Sequence, residues 1–141
     1  MCVQQLSIFL ENQPGRLAEV MAVLAQADIN IRALALADTS DFGVLRLLAD
    51  KPGEARAALK EQGFRAQITE VVAVEVPDRP GALSRVLTAF YGAGISVEYM
   101  YAFVGRAPGG AIMVFRLSNP ELAAGALTPE MGRLVPAAEL G

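Results

Sequence analysis

The sequence predicts an α+β protein: two βαββαβ repeats packed side by side, each an antiparallel sheet with its helices on one face. An internal repeat is the first reason. Leu10-Glu11-Asn12-Gln13-Pro14-Gly15-Arg16-Leu17 returns as Val76-Pro77-Asp78-Arg79-Pro80-Gly81-Ala82-Leu83, with Pro80 placed 66 residues after Pro14. A helical stripe behind each Pro-Gly is the second. Leu17, Val20, Met21 and Leu24 fall at i, i+3, i+4 and i+7, as do Leu83, Val86, Leu87 and Phe90. The third is the match of Ala27-Asp28-Ile29-Asn30-Ile31 to Ala93-Gly94-Ile95-Ser96-Val97, where a break ends the helix and β-branched alternation begins a strand.

The remaining elements follow in order. After a polar turn at Asp38-Thr39-Ser40-Asp41, Val44 to Ala49 reads as a third strand hairpinned to the second. Pro52 opens a helix over about Gly53–Gln62 with Ala55, Ala58 and Leu59 inward; Gly63 ends it, and Phe64 to Val71 alternates as a fourth strand. In the second half the hairpin turn, Gly105 to Gly110, is longer by two, so that Asp50-Lys51-Pro52 matches Ser118-Asn119-Pro120. The helix expected over Glu121–Leu127 is short and weakened by Gly125, and Pro136 makes the last strand an edge.

The repeats divide at residues 1–71 and 72–141, with no flexible linker between them, because Ile68 to Val76 runs from one strand into the next. A unit of this size rarely stabilises itself by more than a few kcal/mol, so the repeats should pack together. Ile29 and Ile31 alternate with Leu34 and Leu36, which predicts that both sheet faces are covered and hence a homodimer.

Composition narrows the function. With 53% hydrophobic residues the 141-residue chain is globular. No long apolar span and no basic, apolar leader is present, so a cytoplasmic protein without membrane attachment is expected. A net charge of -3, with Lys51 and Lys60 the only lysines, argues against nucleic acid as a partner. There is no histidine and one cysteine, Cys2, so no metal site, disulfide or cofactor chemistry is indicated and an enzyme is disfavoured.

A Pro-Gly turn before a helix presents free amides and the positive dipole end, which suit a small anion. The strand, the Glu11-to-Leu17 turn, the amphipathic helix and the Asn30-Ile31 strand resemble the ACT domain, a ferredoxin-like regulatory module, and the likeness covers nearly the whole chain, twice. Glu98-Tyr99-Met100-Tyr101-Ala102 opens the second hairpin in the manner of small tandem members. The resemblance implies amino-acid binding by Asn12 in the turn and Asn30 at the start of the second strand, together with Gln13, Pro14, Gly15, Arg16 and Leu17. The second copy offers Asp78, Arg79, Gly81, Ala82, Leu83 and Ser96 as a possible second site that lacks the two asparagines.

The residue chemistry agrees with this. Gly15 allows a carboxylate close to the helix amides, and each asparagine amide both accepts from an ammonium and donates to a carboxylate. Asn30 would come from the neighbouring strand or from a paired repeat. Leu17 and Ala82 suggest small or branched ligand side chains.

Plainer roles compete. Asn12 and Asp78 read equally as helix caps, Tyr99 and Tyr101 as packing residues, and Arg32, Arg46 and Arg116 as strand arginines paired with Glu98 or solvent. Gly109-Gly110 is turn chemistry, not a phosphate loop.

The expected function is a non-catalytic regulator that binds a free amino acid and signals to a metabolic enzyme or pathway by altered packing. The alternatives are a ligand-free dimerisation or docking module, and an acylphosphatase-like enzyme using Arg16 and Asn30.

Overall fold

The computed structural model describes residues 2–38, 41–103 and 110–140. In chain order it has β1 (Val3–Glu11), α1 (Arg16–Gln26), β2 (Ile31–Asp38), β3 (Phe42–Ala49), α2 (Pro52–Glu61) and β4 (Arg65–Val76). There follow α3 (Ala82–Gly92), β5 (Val97–Ala102), β6 (Ala111–Leu117), a 3-10 turn (Pro120–Leu122), α4 (Ala123–Ala126), β7 (Arg133–Val135) and a terminal 3-10 turn (Ala137–Leu140). Two compact units result. One is Gln4–Thr69; the other is Glu70–Gly141 with Met1–Val3. The boundary falls inside β4, whose 12 residues join the strands expected at Phe64–Val71 and Val72–Val76.

In the first unit the strand order is β2-β3-β1-β4, and β1 and β2 both run antiparallel to β3. Leu6 and Ile8 of β1 lie opposite Leu47 and Leu45 of β3. These four pack with Val20 and Leu24 of α1, Ala55 and Leu59 of α2, and Phe64. Each buried Leu, Ile, Val or Phe among them contributes about 1.5–3 kcal/mol relative to exposure. The expected stripe is therefore the helix face that the sheet covers, with Val20 and Leu24 at its centre.

The second unit repeats the plan around β4, which pairs antiparallel with β6 on one side and with β7 on the other. Val86 and Phe90 of α3 pack on Val72, Val74, Phe115 and Leu117. The Phe90 and Phe115 rings meet edge-on, with centroids 5.4 Å apart and planes at 86°. The second helix is shorter than expected, four residues after a 3-10 turn, in keeping with Gly125. The last strand spans three residues before Pro136.

One inference about the sheet faces is corrected. Ile31 was expected on the face opposite Leu34 and Leu36, but a bulge lies between Ile31 and Ala33. Ile31, Leu34 and Leu36 lie opposite Ala49, Leu47 and Leu45, so all three sit on the helix side, since an extra residue reverses the alternation. The second unit has the equivalent bulge between Val97 and Tyr99. The turn expected at Asp38–Asp41 falls partly outside the described residues, as does the Gly105–Gly110 hairpin except for Gly110.

Candidate functional site

Both Pro-Gly turns have one backbone design. Gly15 (φ 87°) and Gly81 (φ 84°) are the residues before α1 and α3, and both are left-handed. In both helices the left-handed glycine occupies the cap position, so neither Asn12 nor Asp78 stands there. The Asn12 amide donates to the Asp41 carbonyl at 3.0 Å, and the Gln13 amide donates to the Glu11 carbonyl at 2.8 Å. Asn12, Gln13, Pro14 and Gly15 are all exposed. In the second copy Arg79 donates to the Pro77 carbonyl at 3.0 Å, and Asp78, Arg79 and Gly81 are exposed while Ala82 is buried.

Asn30 is fixed at the start of β2. Its amide donates to Asp50 Oδ1 at 3.0 Å and its carbonyl accepts from the Asp50 amide at 3.1 Å. Ser96 repeats this clamp with Ser118, at 2.9 Å in both directions. Glu11, at the end of β1, lies opposite Phe42, whereas Ile31 lies opposite Ala49 at the far end of β3. Asn12 and Asn30 are thus separated by the length of β2, roughly 23 Å at about 3.3 Å per residue. The neighbouring strand therefore does not bring Asn30 to Asn12 within the unit. Arg16 and Asn30 are parted in the same way, so the acylphosphatase-like pairing is not assembled within the unit either.

At the Asn12 end a groove of ≈ 260 Å³ opens beside the turn, lined by Phe9, Leu10, Glu11, Arg16, Phe42, Gly63, Phe64 and Arg65. The Arg16 guanidinium lies 4.7 Å from the centre of the Phe64 ring and donates to Glu19 at 2.8 Å. Its Nε is enclosed without a hydrogen bond. Arg65 lies 5.6 Å from the centre of the Phe9 ring. Of these residues only Arg16 was singled out as a binding residue in the sequence. Phe9, Phe42 and the adjacent pair Phe64 and Arg65 are far apart in the chain, and their one shared signal is a position near a strand end.

Other candidates resolve as structural. Arg116 pairs with Glu98 at 3.2 Å and donates to the Glu70 carbonyl at 2.8 Å. Tyr99 and Tyr101 lie opposite Arg116 and Val114, on the face away from the helices. Burial, then the Glu70 carboxylate, pushes the Cys2 thiol above its ordinary pKa, which keeps it protonated at neutral pH. Among the described residues no group of three His, Cys, Asp or Glu side chains is placed to hold a metal, and no helix is long and apolar enough to cross a membrane.

Two ferredoxin-like units, each with a left-handed glycine turn between its first strand and first helix, define a tandem module of the ACT class. The chain belongs to the ACT domain pair family, whose model matches residues 1–134. ACT domains are regulatory modules.

Among solved structures it is similar to protein BT0572 from Bacteroides thetaiotaomicron, with 41% identity and a TM-score of 0.90 over 99% of this chain and 96% of that one. It shares its fold with the regulatory subunit of aspartate kinase from Thermus thermophilus, at 18% identity and a TM-score of 0.64 over 87% and 89% of the two chains. A third similar structure is aspartokinase III from E. coli in complex with lysine and aspartate, at 17% identity and a TM-score of 0.51 over 92% of this chain and 30% of that one. No curated protein matches the chain.

Proposed function

We propose that this chain is a non-catalytic regulator that binds a free α-amino acid between two subunits and signals its occupancy to a metabolic enzyme. The observation that carries this reading is the placement of Asn12 and Asn30 at opposite ends of one repeat whose β2 has, among the described residues, a single neighbour, β3. An edge strand invites a further strand. Antiparallel pairing of β2 with its copy sets the start of one strand against the end of the other, which carries Asn30 of the partner subunit toward Asn12. The amides would then read the ligand's carboxylate and ammonium together. Charge-assisted hydrogen bonds of about 1.5–3 kcal/mol each suit micromolar affinity, the range in which free amino-acid levels can be followed.

The second copy offers Asp78 and Ser96 at the matching places. The Asp78 carboxylate would repel a ligand carboxylate, so the first copy is the better equipped. Calorimetric titration with the twenty amino acids should give a saturable heat with at least one of them, lost in both Asn12→Ala and Asn30→Ala. Absence of heat with all twenty would refute the regulator and leave the docking module.

A further inference from the structure

We infer that the groove beside the first turn is a separate ligand site, for an α-amino acid with a large apolar or aromatic side chain. It lies wholly within the Gln4–Thr69 unit and requires neither Asn30 nor a second subunit.

Its walls and its charges are segregated. Phe9 and Phe42 are 38% and 58% exposed, an unusual cost in apolar surface for two residues facing the same ≈ 260 Å³ space. Phe64 and Leu10 also line the groove and are buried. A carboxylate at the mouth would meet Arg65, which the Phe9 ring holds in place and which has no carboxylate partner among the described residues. Arg16 adds a second guanidinium, fixed by Phe64 and Glu19. An ammonium would meet Glu11, whose carboxylate makes no ion pair among the described residues and is exposed at the same rim. Guanidinium, carboxylate and aromatic walls around one space match the three parts of such a ligand.

The second repeat serves as an internal control, because, of the charged and aromatic groove residues, it keeps only one arginine, and that one is paired. Phe9, Glu11 and Arg16 correspond to Glu75, Pro77 and Ala82; Phe42, Phe64 and Arg65 correspond to Gly110, Gly132 and Arg133. Arg133 is neutralised by Glu139 at 2.8 Å and Glu75 at 3.5 Å. A side chain at Gly110 would run into the Val76 carbonyl, so no aromatic wall can stand there. A fold-maintaining role would be needed in both copies, whereas the three phenylalanines, Glu11 and Arg16 occur in one. The apolar volume also favours a larger side chain than Leu17 and Ala82 suggested.

The test is calorimetric titration of the full chain with L-phenylalanine, 3-phenylpropionate and 2-phenylethylamine. L-Phenylalanine should bind best, 3-phenylpropionate more weakly, and the amine not at all. Arg65→Met and Phe42→Ala, checked for unchanged melting, should each weaken L-phenylalanine at least tenfold, while Arg133→Met leaves it unchanged. Glu11→Gln should reduce L-phenylalanine to the affinity of 3-phenylpropionate, a selective change that damage to the fold would not produce. The inference is overturned if L-phenylalanine fails to bind, or if its binding survives Arg65→Met and Phe42→Ala. If that binding is lost in Asn12→Ala and Asn30→Ala instead, the groove fails while the intersubunit site stands.

Discussion

Gly15 and Gly110 exclude side chains for different reasons, and the difference is measurable. Gly15 is left-handed, but a Cβ there would have nothing within 4 Å, so Gly15→Ala introduces backbone strain alone. The cost should be about 1–2 kcal/mol, partly offset by a less flexible unfolded chain. At Gly110 a Cβ would collide with the Val76 carbonyl, a backbone atom that cannot rotate away, and β4–β6 pairing at Val76 and Ala111 must open to admit it. Urea denaturation should therefore rank Gly110→Ala as the more damaging substitution, with Gly15→Ala folded and only mildly destabilised; the reverse order would contradict this account. The Pro-Gly signature was legible because proline and glycine constrain the backbone locally. The Asn12 role was not, since capping and ligand contact use the same side-chain chemistry.

The helices show how far a periodic pattern carries. Leu24 and Phe90 occupy the same place in the two stripes, and both are almost fully buried, at 1% and 0% exposure. Leu24 packs among aliphatic neighbours from β1 and β3, whereas Phe90 meets the Phe115 ring edge-on. Truncation should cost about 2–5 kcal/mol for Leu24→Ala and about 3–5 kcal/mol for Phe90→Ala, seen as lowered denaturation midpoints. A loss under about 1 kcal/mol at either site would mean that the stripe is not the core. Spacing located these positions, while Gly125 and Pro136 marked the weak second helix of the second half and an edge for the last strand, whose three-residue length was not foreseen. The bulges escaped notice because one extra residue leaves hydrophobicity unchanged while reversing every side chain beyond it. The groove escaped for a related reason: Phe9, Phe42 and Phe64 become neighbours only once β1, β3 and β4 are aligned.

At the scale of the whole molecule, the decisive question is whether one chain or two supply the asparagines. In a symmetric dimer joined through β2, each of two equivalent sites takes Asn12 from one subunit and Asn30 from the other. Asn12→Ala alone damages both sites, and so does Asn30→Ala. When the two variants are mixed and allowed to exchange, half the dimers are mixed, and each mixed dimer has one site with both asparagines intact and one with neither. Titration should recover about one site per four chains at wild-type affinity. A site built within a single chain predicts no recovery at any mixing ratio, because every chain then lacks one of its own two residues. Recovery should also disappear at dilutions that separate the subunits, since binding and assembly draw on the same contacts. Persistent binding by isolated subunits would place the ligand elsewhere, and the groove at Arg65 and Phe42 is then the place to test.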